Sequence, residues 1–339
     1  MLNHLKNLCN IPAPSGCENL VVDYILKHLP DYCDSVTDAL GNLIVNVKGK
    51  NKAKYKVQLD AHLDEVGVII TGVTQDGFLR FTTLGGIDSL ALISKKVIID
   101  NSVSGVICSK PVHMLTDEQK TAKPDIDELF IDIGASNINE ANKLVSPGSS
   151  GTFIPNFRII EDKIFSKAID DRAGCAVLLD LINNYREYDY TVTFTTGEEI
   201  GLRGAKTATY SVNPDYAIVV ESTTAADVEG TEGNKRVCNL GEGVAISFMD
   251  RATLYDKQLY SAAFDIAKKN DIKAQFKTMA SGGNNAGSIH TSRSGVKTLA
   301  LSLPCRYIHS SECVADVNDL INLKCLTQKV LEELLKNDN

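Results

Sequence analysis

Two histidines and a set of carboxylates fall in five short segments: residues 61–65 with His62 and Asp64, 169–172 with Asp170 and Asp171, 197–201 with Glu198 and Glu199, 220–222 with Glu221, and 307–310 with His309. Imidazole nitrogens and carboxylate oxygens ligate divalent cations. When such groups gather around two closely spaced ions, the outcome is hydrolysis rather than structural bracing. A histidine at a strand end is ordinarily just a satisfied polar residue, but His62 is followed two positions later by Asp64. In an extended segment residues i and i+2 face the same way, so Asp64 can accept a hydrogen bond from the ring nitrogen that a metal does not use. Acid pairs such as Asp170-Asp171 and Glu198-Glu199 ordinarily mark helix starts. Here they follow apolar strands, and clustered like charges are costly without counter-cations. The pattern reads as a two-metal peptidase.

The elements that must position these groups show in the hydrophobic periodicity. Residues 2–9 and 19–29 have helical spacing, separated by Pro12, Pro14 and Gly16. Residues 42–47 and 55–60 read as strands, the second running straight into His62, where open α/β sheets place their ligands. From 65 to 162 short β-branched runs alternate with Gly, Asp and Ser turns, which suggests a small all-β domain inserted into a layered α/β domain formed by 1–64 and 163–339. Within it 116–127 reads as a polar, mobile loop. Beyond 163 an amphipathic helix is expected over 171–185, strands over 190–196, 216–221 and 297–303, and helices over 256–270 and 317–335.

At 339 residues and 43% hydrophobic content the chain can bury a full core and hold two domains. A net charge of −8 argues against a nucleic-acid or anionic-membrane partner and for a small molecule or peptide. The first residues lack the apolar stretch of a signal peptide and no window approaches the length of a spanning helix, so a cytoplasmic protein is expected. Nine scattered cysteines without a C-x-x-C pair indicate neither a disulfide framework nor a thiolate zinc site.

Several motifs in order resemble one family. They are residues 11–16 (IPAPSG), 61–67 (AHLDEVG), Gly85-Gly86, 129–135 (LFIDIGA), 167–174 (KAIDDRAG), 198–205 (EEIGLRGA) and 304–310 (PCRYIHS). Together they are similar to the family 42 metallopeptidases, the glutamyl and tetrahedral aminopeptidase group. The resemblance implies two divalent ions, zinc or cobalt with manganese as a further candidate. Asp170 would bridge them, with His62 and Glu221 completing one ion and Glu199 and His309 the other. It also implies Glu198 as general base, Asp64 as the residue orienting His62, and a cis peptide at Asp170-Asp171.

The insert would mediate dimers, which assemble further into tetrahedral dodecamers. Two positions depart from the family pattern: Glu221 stands where Asp is usual, and Asn285 in the glycine-rich segment 282–287 where Asp is common, a change expected to alter the substrate pocket. Arg203 and Arg306 are expected to brace acidic ligands, and His290 to be a structural group or a substrate contact. The leading reading is an aminopeptidase acting on peptides. A deacylase or carboxypeptidase using the same two-metal site, and a non-catalytic binding protein on the same fold, are the alternatives.

Overall fold

The computed structural model describes residues 1–279 and 282–336. Its large sheet has eleven strands. They are β1 (Cys33–Thr37), β2 (Leu43–Val47), β3 (Val57–His62) and, after the six strands β4–β9 of a separate barrel that are not part of this sheet, β10 (Arg158–Ile160), β11 (Lys163–Ser166), β12 (Tyr190–Thr195), β13 (Tyr216–Thr224), β14 (Val244–Ile246), β15 (Ala274–Phe276), β16 (Lys297–Arg306) and β17 (Cys313–Asp316). The main path runs β1-β2-β12-β3-β13-β16-β17-β11-β10, and β12, β3, β13 and β16 at its centre are mutually parallel.

Central parallel strands are buried on both faces, and β3 is buried at all six positions. Side chains alternate between faces. Val57, Leu59 and Ala61 join the main core with Ile218, Val220, Leu299 and Leu301, whereas Ala217, Val219 and Ala300 belong to a smaller core on the other face, with Ala205 and Ala286. Gln58 and Asp60 also face that second side. Gln58 donates to the hydroxyls of Thr193 and Thr209, while Asp60 accepts from Thr193 and Asn285, which compensates part of the buried polarity there; the side-chain oxygens of Gln58 and Asn285 have no hydrogen-bond partner among the described residues.

The helix Ile169–Asn184 is not amphipathic as its sequence suggests. Thirteen of its sixteen residues are buried because it is sandwiched between the sheet and the helices Leu2–Cys9 and Val317–Leu335. A Cβ at Gly174 would sit 2.2 Å from the Val220 carbonyl oxygen, and this close approach lets the helix lie directly on β13. The closing helix Val317–Leu335 matches the expected span, with Asp316 as its N-cap.

The barrel is closed by β4 (Gly67–Val73), β5 (Leu79–Leu84), β6 (Lys96–Ile99), β7 (Val103–Cys108), β8 (Phe130–Asp132) and β9 (Ser150–Phe153), around a core of Val68, Ile70, Leu79, Ile99 and Ile131. The molecule is thus layered α/β with a small all-β barrel. Strand β10 pairs with β11 on the large sheet, so the large sheet regains the chain at Arg158. The segment expected as a mobile loop contains a helical turn, Asp117–Thr121, closed by a capping box between Thr116 and Gln119.

Five lysines alternate between positions 48 and 56, a basic run that the net charge conceals. Lys48 pairs with Asp34 at 2.7 Å, Lys50 with Glu187 at 3.2 Å and Lys52 with Asp189 at 2.5 Å. No helix among the described residues is long and apolar enough to cross a membrane.

Candidate metal centre

All five segments converge on the carboxyl edge of the parallel strands. His62 ends β3, Glu198 and Glu199 follow β12, Glu221 lies in β13, His309 follows β16, and Asp170 opens the helix after β11. Asp60 pairs with Val219, so His62 and Glu221, each two residues further along adjacent parallel strands, project from the same face. Glu221 does not end its strand as expected, because β13 continues to Thr224 beside Cys305.

Asp170 lies between the two rings. His62 Nε2 is 3.4 Å from Asp170 Oδ1 and His309 Nε2 is 3.4 Å from Asp170 Oδ2, while His309 Nε2 is also 3.3 Å from Glu199 Oε2. Each ring commits its other nitrogen to a backbone carbonyl: His62 Nδ1 lies 3.1 Å from the Asp64 oxygen and His309 Nδ1 lies 2.9 Å from the Gly86 oxygen. This arrangement aims both Nε2 atoms into the cluster and fixes their tautomers for ligation. The Asp170-Asp171 peptide is cis.

Asp64 does more than face His62, which its carboxylate approaches to 3.4 Å. It accepts from the Ser15 hydroxyl at 2.6 Å and from the backbone N–H groups of Glu198 at 3.0 Å and Glu199 at 3.1 Å. Burial pushes its pKa upward, but His62, Ser15 and the Glu198 amide together hold it below the usual carboxylate range. A charged Asp64 therefore anchors the turn that presents both glutamates. Gly85-Gly86 is likewise more than a tight turn. A Cβ on Gly85, at φ +86°, would meet Val66 at 2.9 Å and Glu199 at 3.2 Å, and Gly86 orients His309 from the barrel side.

The electrostatics call for cations. Burial first, then repulsion from Asp170 and the neighbouring acids, pushes Glu198, Glu199 and Glu221 up to about 8. Burial opposes protonation of His309, yet Asp170 and Glu199 raise it to about 10. The imidazolium charge thus stands in for a missing positive charge. Glu199 Oε1 is buried with no hydrogen-bond partner among the described residues. Ligand atoms of His62, Glu198 and Glu199, and of Asp170, Glu199 and His309, lie within 4.8 Å of one another. Two inward imidazoles, carboxylates of raised pKa and an orphaned oxygen fit divalent metal ions.

Glu221 lines the same cavity, about 170 Å³, but falls in neither ligand group; Asn284 Nδ2 holds its Oε1 at 2.6 Å and Ser302 at 3.2 Å. A larger cavity of about 400 Å³ opens at the opposite edge of the sheet beside Lys48 and Tyr55, remote from these groups.

Other expectations change. Arg306 forms a two-pronged pair with Asp227, and Arg203 donates to the Ile200 carbonyl, so neither braces a candidate ligand. Two other buried cations, Lys167 and Arg172, pair with Glu65, which is not itself a candidate ligand. Asn285, expected to shape the substrate pocket, is instead buried and absent from the cavity's lining, donating to Asp60 and Thr195 at 2.8 Å each. His290 Nδ1 hydrogen-bonds the Ala286 carbonyl within its own helical turn. The roles of Ser15, Gly86 and Asn284 were carried in legible motifs; Lys277, which lines the cavity, follows Phe276 with no motif around it.

Fold and site together define a layered α/β protein whose sheet edge carries a cation-demanding cluster of two histidines and carboxylates, the equipment of a metallohydrolase. The chain belongs to the M42 glutamyl aminopeptidase family, whose model matches residues 41–326, and as a member it is a peptidase. It is 32% identical to a lysyl aminopeptidase of Pyrococcus furiosus, over 98% of this chain and 97% of that one. Among solved structures it is similar to aminopeptidase APDkam598 from the archaeon Desulfurococcus kamchatkensis, with 32% identity, a TM-score of 0.92 and coverage of 98% and 94%. It is also similar to the Pyrococcus horikoshii TET1 peptidase, which assembles into a tetrahedron or a large octahedral shell, with 31% identity, a TM-score of 0.84 and coverage of 97% and 98%.

Proposed function

We propose that this chain is a metal-dependent aminopeptidase that removes the first residue of peptides. The observation that carries the reading is the disposition of Asp170, whose two oxygens each face an inward Nε2 at 3.4 Å. His62, Asp170 and Glu221 would hold one ion and Asp170, Glu199 and His309 the other. Two divalent ions, zinc or cobalt with manganese as a further candidate, would lower the pKa of the attacking water and polarise the scissile carbonyl.

The remaining work falls to the chain. Glu198, held at the cavity by its backbone bond to Asp64, takes the proton of the water at its carboxylate and returns it to the leaving amine. Asp64 keeps His62 in position. Residues 1–64 and 163–339, with β10 on the same sheet, form the catalytic body, and the insert, expected over 65–162 but leaving the barrel before Arg158, contributes the Gly86 carbonyl to the site and serves as the dimer surface. By analogy with the tetrahedral TET1 assembly, the particle in solution is at least a dimer; a monomer in sedimentation would count against this.

The function is tested with fluorogenic aminoacyl amides, each paired with its N-acetylated twin, on metal-stripped protein resupplied with zinc, cobalt or manganese. Cleavage confined to free amines, absent without metal, is the expected result. Turnover of the blocked twins would instead assign a general amide hydrolase such as a deacylase, and silence with metal bound a binding protein.

A further inference from the structure

The turn that presents Glu198 opens on a glycine, Gly197, at φ +61°. A glycine beside a working group is a hinge unless the peptide units on both sides of it are held. Here both are held. The unit after it is fixed by Asp64, which accepts from the Glu198 N–H at 3.0 Å, and the unit before it by Glu18, whose Oε1 accepts from the Gly197 N–H at 3.2 Å. Asn42 takes the Thr196 N–H at 2.9 Å and Asp64 the Glu199 N–H at 3.1 Å, so four consecutive amides end on side chains of Glu18, Asn42 and Asp64. The carbonyls run the other way: Gly197 accepts from the Arg203 N–H, and Glu198 from those of Gly201 and Leu202. Glu18 is 6% exposed and also accepts from the Gly16 N–H at 2.9 Å, which ties it to the bend of the opening segment. Burial pushes its pKa above the usual carboxylate value and Asp64 adds to this, while among the described residues neither acid pairs with a lysine or arginine. Burying an acid without a cation is costly. What the cost secures here is the orientation of one peptide unit beside Glu198.

We infer that Glu18 is a positioning residue for the general base: by locking the Gly197 hinge it fixes the direction from which the Glu198 carboxylate enters the cavity. The inference rests on the aminopeptidase reading and deepens it. Glu18 neither lines the cavity nor belongs to a candidate ligand group, so it acts only through the backbone of the turn. Asp64 alone would leave the peptide unit before Gly197 free to rotate, and the carboxylate would swing with it.

The test is a double-mutant cycle on the metal-loaded enzyme, with Glu18→Ala and Glu18→Gln made both in the wild type and in Glu198→Gln. Glu18→Ala should lower kcat by about 10²-fold, the loss that follows a small misplacement of a catalytic group, while KM and metal content stay near wild type. Glu18→Gln keeps an acceptor oxygen at the same reach and should lose less. In the Glu198→Gln background both changes should cost almost nothing, because the carboxylate they misplace is already gone. Equal losses in the two backgrounds, metal lost in step with activity, or full kcat in Glu18→Ala would each overturn the inference. If the alanine variant fails to fold, the glutamine variant carries the cycle with the same expected pattern. Hydrogen exchange gives a readout independent of turnover: the amides of residues 196–199 should exchange faster in Glu18→Ala than in the wild type, with the closing helix unchanged. Should no amide substrate be cleaved, the aminopeptidase reading fails, and exchange still decides whether Glu18 holds the turn; unchanged exchange there would overturn its role.

Discussion

Glu198→Gln is expected to lower kcat by about 10²–10⁴-fold, the usual contribution of a positioned general acid–base, with metal content unchanged. The amide replaces the carboxylate at equal size, and the local backbone has no reason to move, because the Glu198 N–H is fixed by Asp64 rather than by its own side chain. What is lost is the ability to accept and return a proton. Burial and the surrounding acids place this carboxyl at about 8 before any cation binds, so a bound cation brings it down toward the working range of a base near neutral pH. Metal analysis beside steady-state kinetics checks the assignment. A variant that kept full turnover would refute the role of Glu198, and one that lost its metal in proportion to its activity would make Glu198 a ligand, as its proximity to His62 and Glu199 permits.

The parts of the site legible in the sequence are those whose geometry is local. His62 follows an apolar strand, and its relation to Asp64 needs only the period of an extended chain. The span of the closing helix was readable because Asp316 caps it and its apolar spacing is regular. Long-range compensation was not readable. A carboxylate inside β13 looked like a strand end, yet Glu221 stays within the strand because Asn284 and Ser302, 63 and 81 positions away, satisfy it. The strand before His309, expected over 297–303, runs on through Pro304 to Arg306, paired with β13 as far as Cys305 and with β17 at Cys305 and Arg306. The helix after Asp170 carries Arg172 and Asp180, which lend it a polar face in sequence. Arg172 is in fact wholly buried, its guanidinium donating to the Leu8 and Ile11 carbonyls. Lys277 carries no sequence signal, because its meaning comes from the cavity it lines.

Glu65→Gln should be the most damaging change made outside the cavity, lowering stability by about 3–5 kcal/mol, as when one member of a buried ion pair is removed. Glu65 is 2% exposed, with Lys167 Nζ 2.6 Å from both its oxygens and Arg172 Nη2 3.4 Å from one. It also accepts from the Ala13 N–H at 3.0 Å and the Thr152 hydroxyl at 2.8 Å, so one carboxylate ties the opening segment, the barrel strand β9 and the helix behind Asp170. The glutamine variant leaves two wholly buried cations with no anion. Lys167→Met removes one cation and leaves Glu65 paired with Arg172, so its cost should be smaller. Urea midpoints measured at one protein concentration test the order, and equal losses would show that the cluster works by shape rather than by charge. Metal affinity should fall with the first variant more than the second, because Lys167 and Arg172 flank the Ala168–Asp171 turn that sets Asp170 between the two imidazoles.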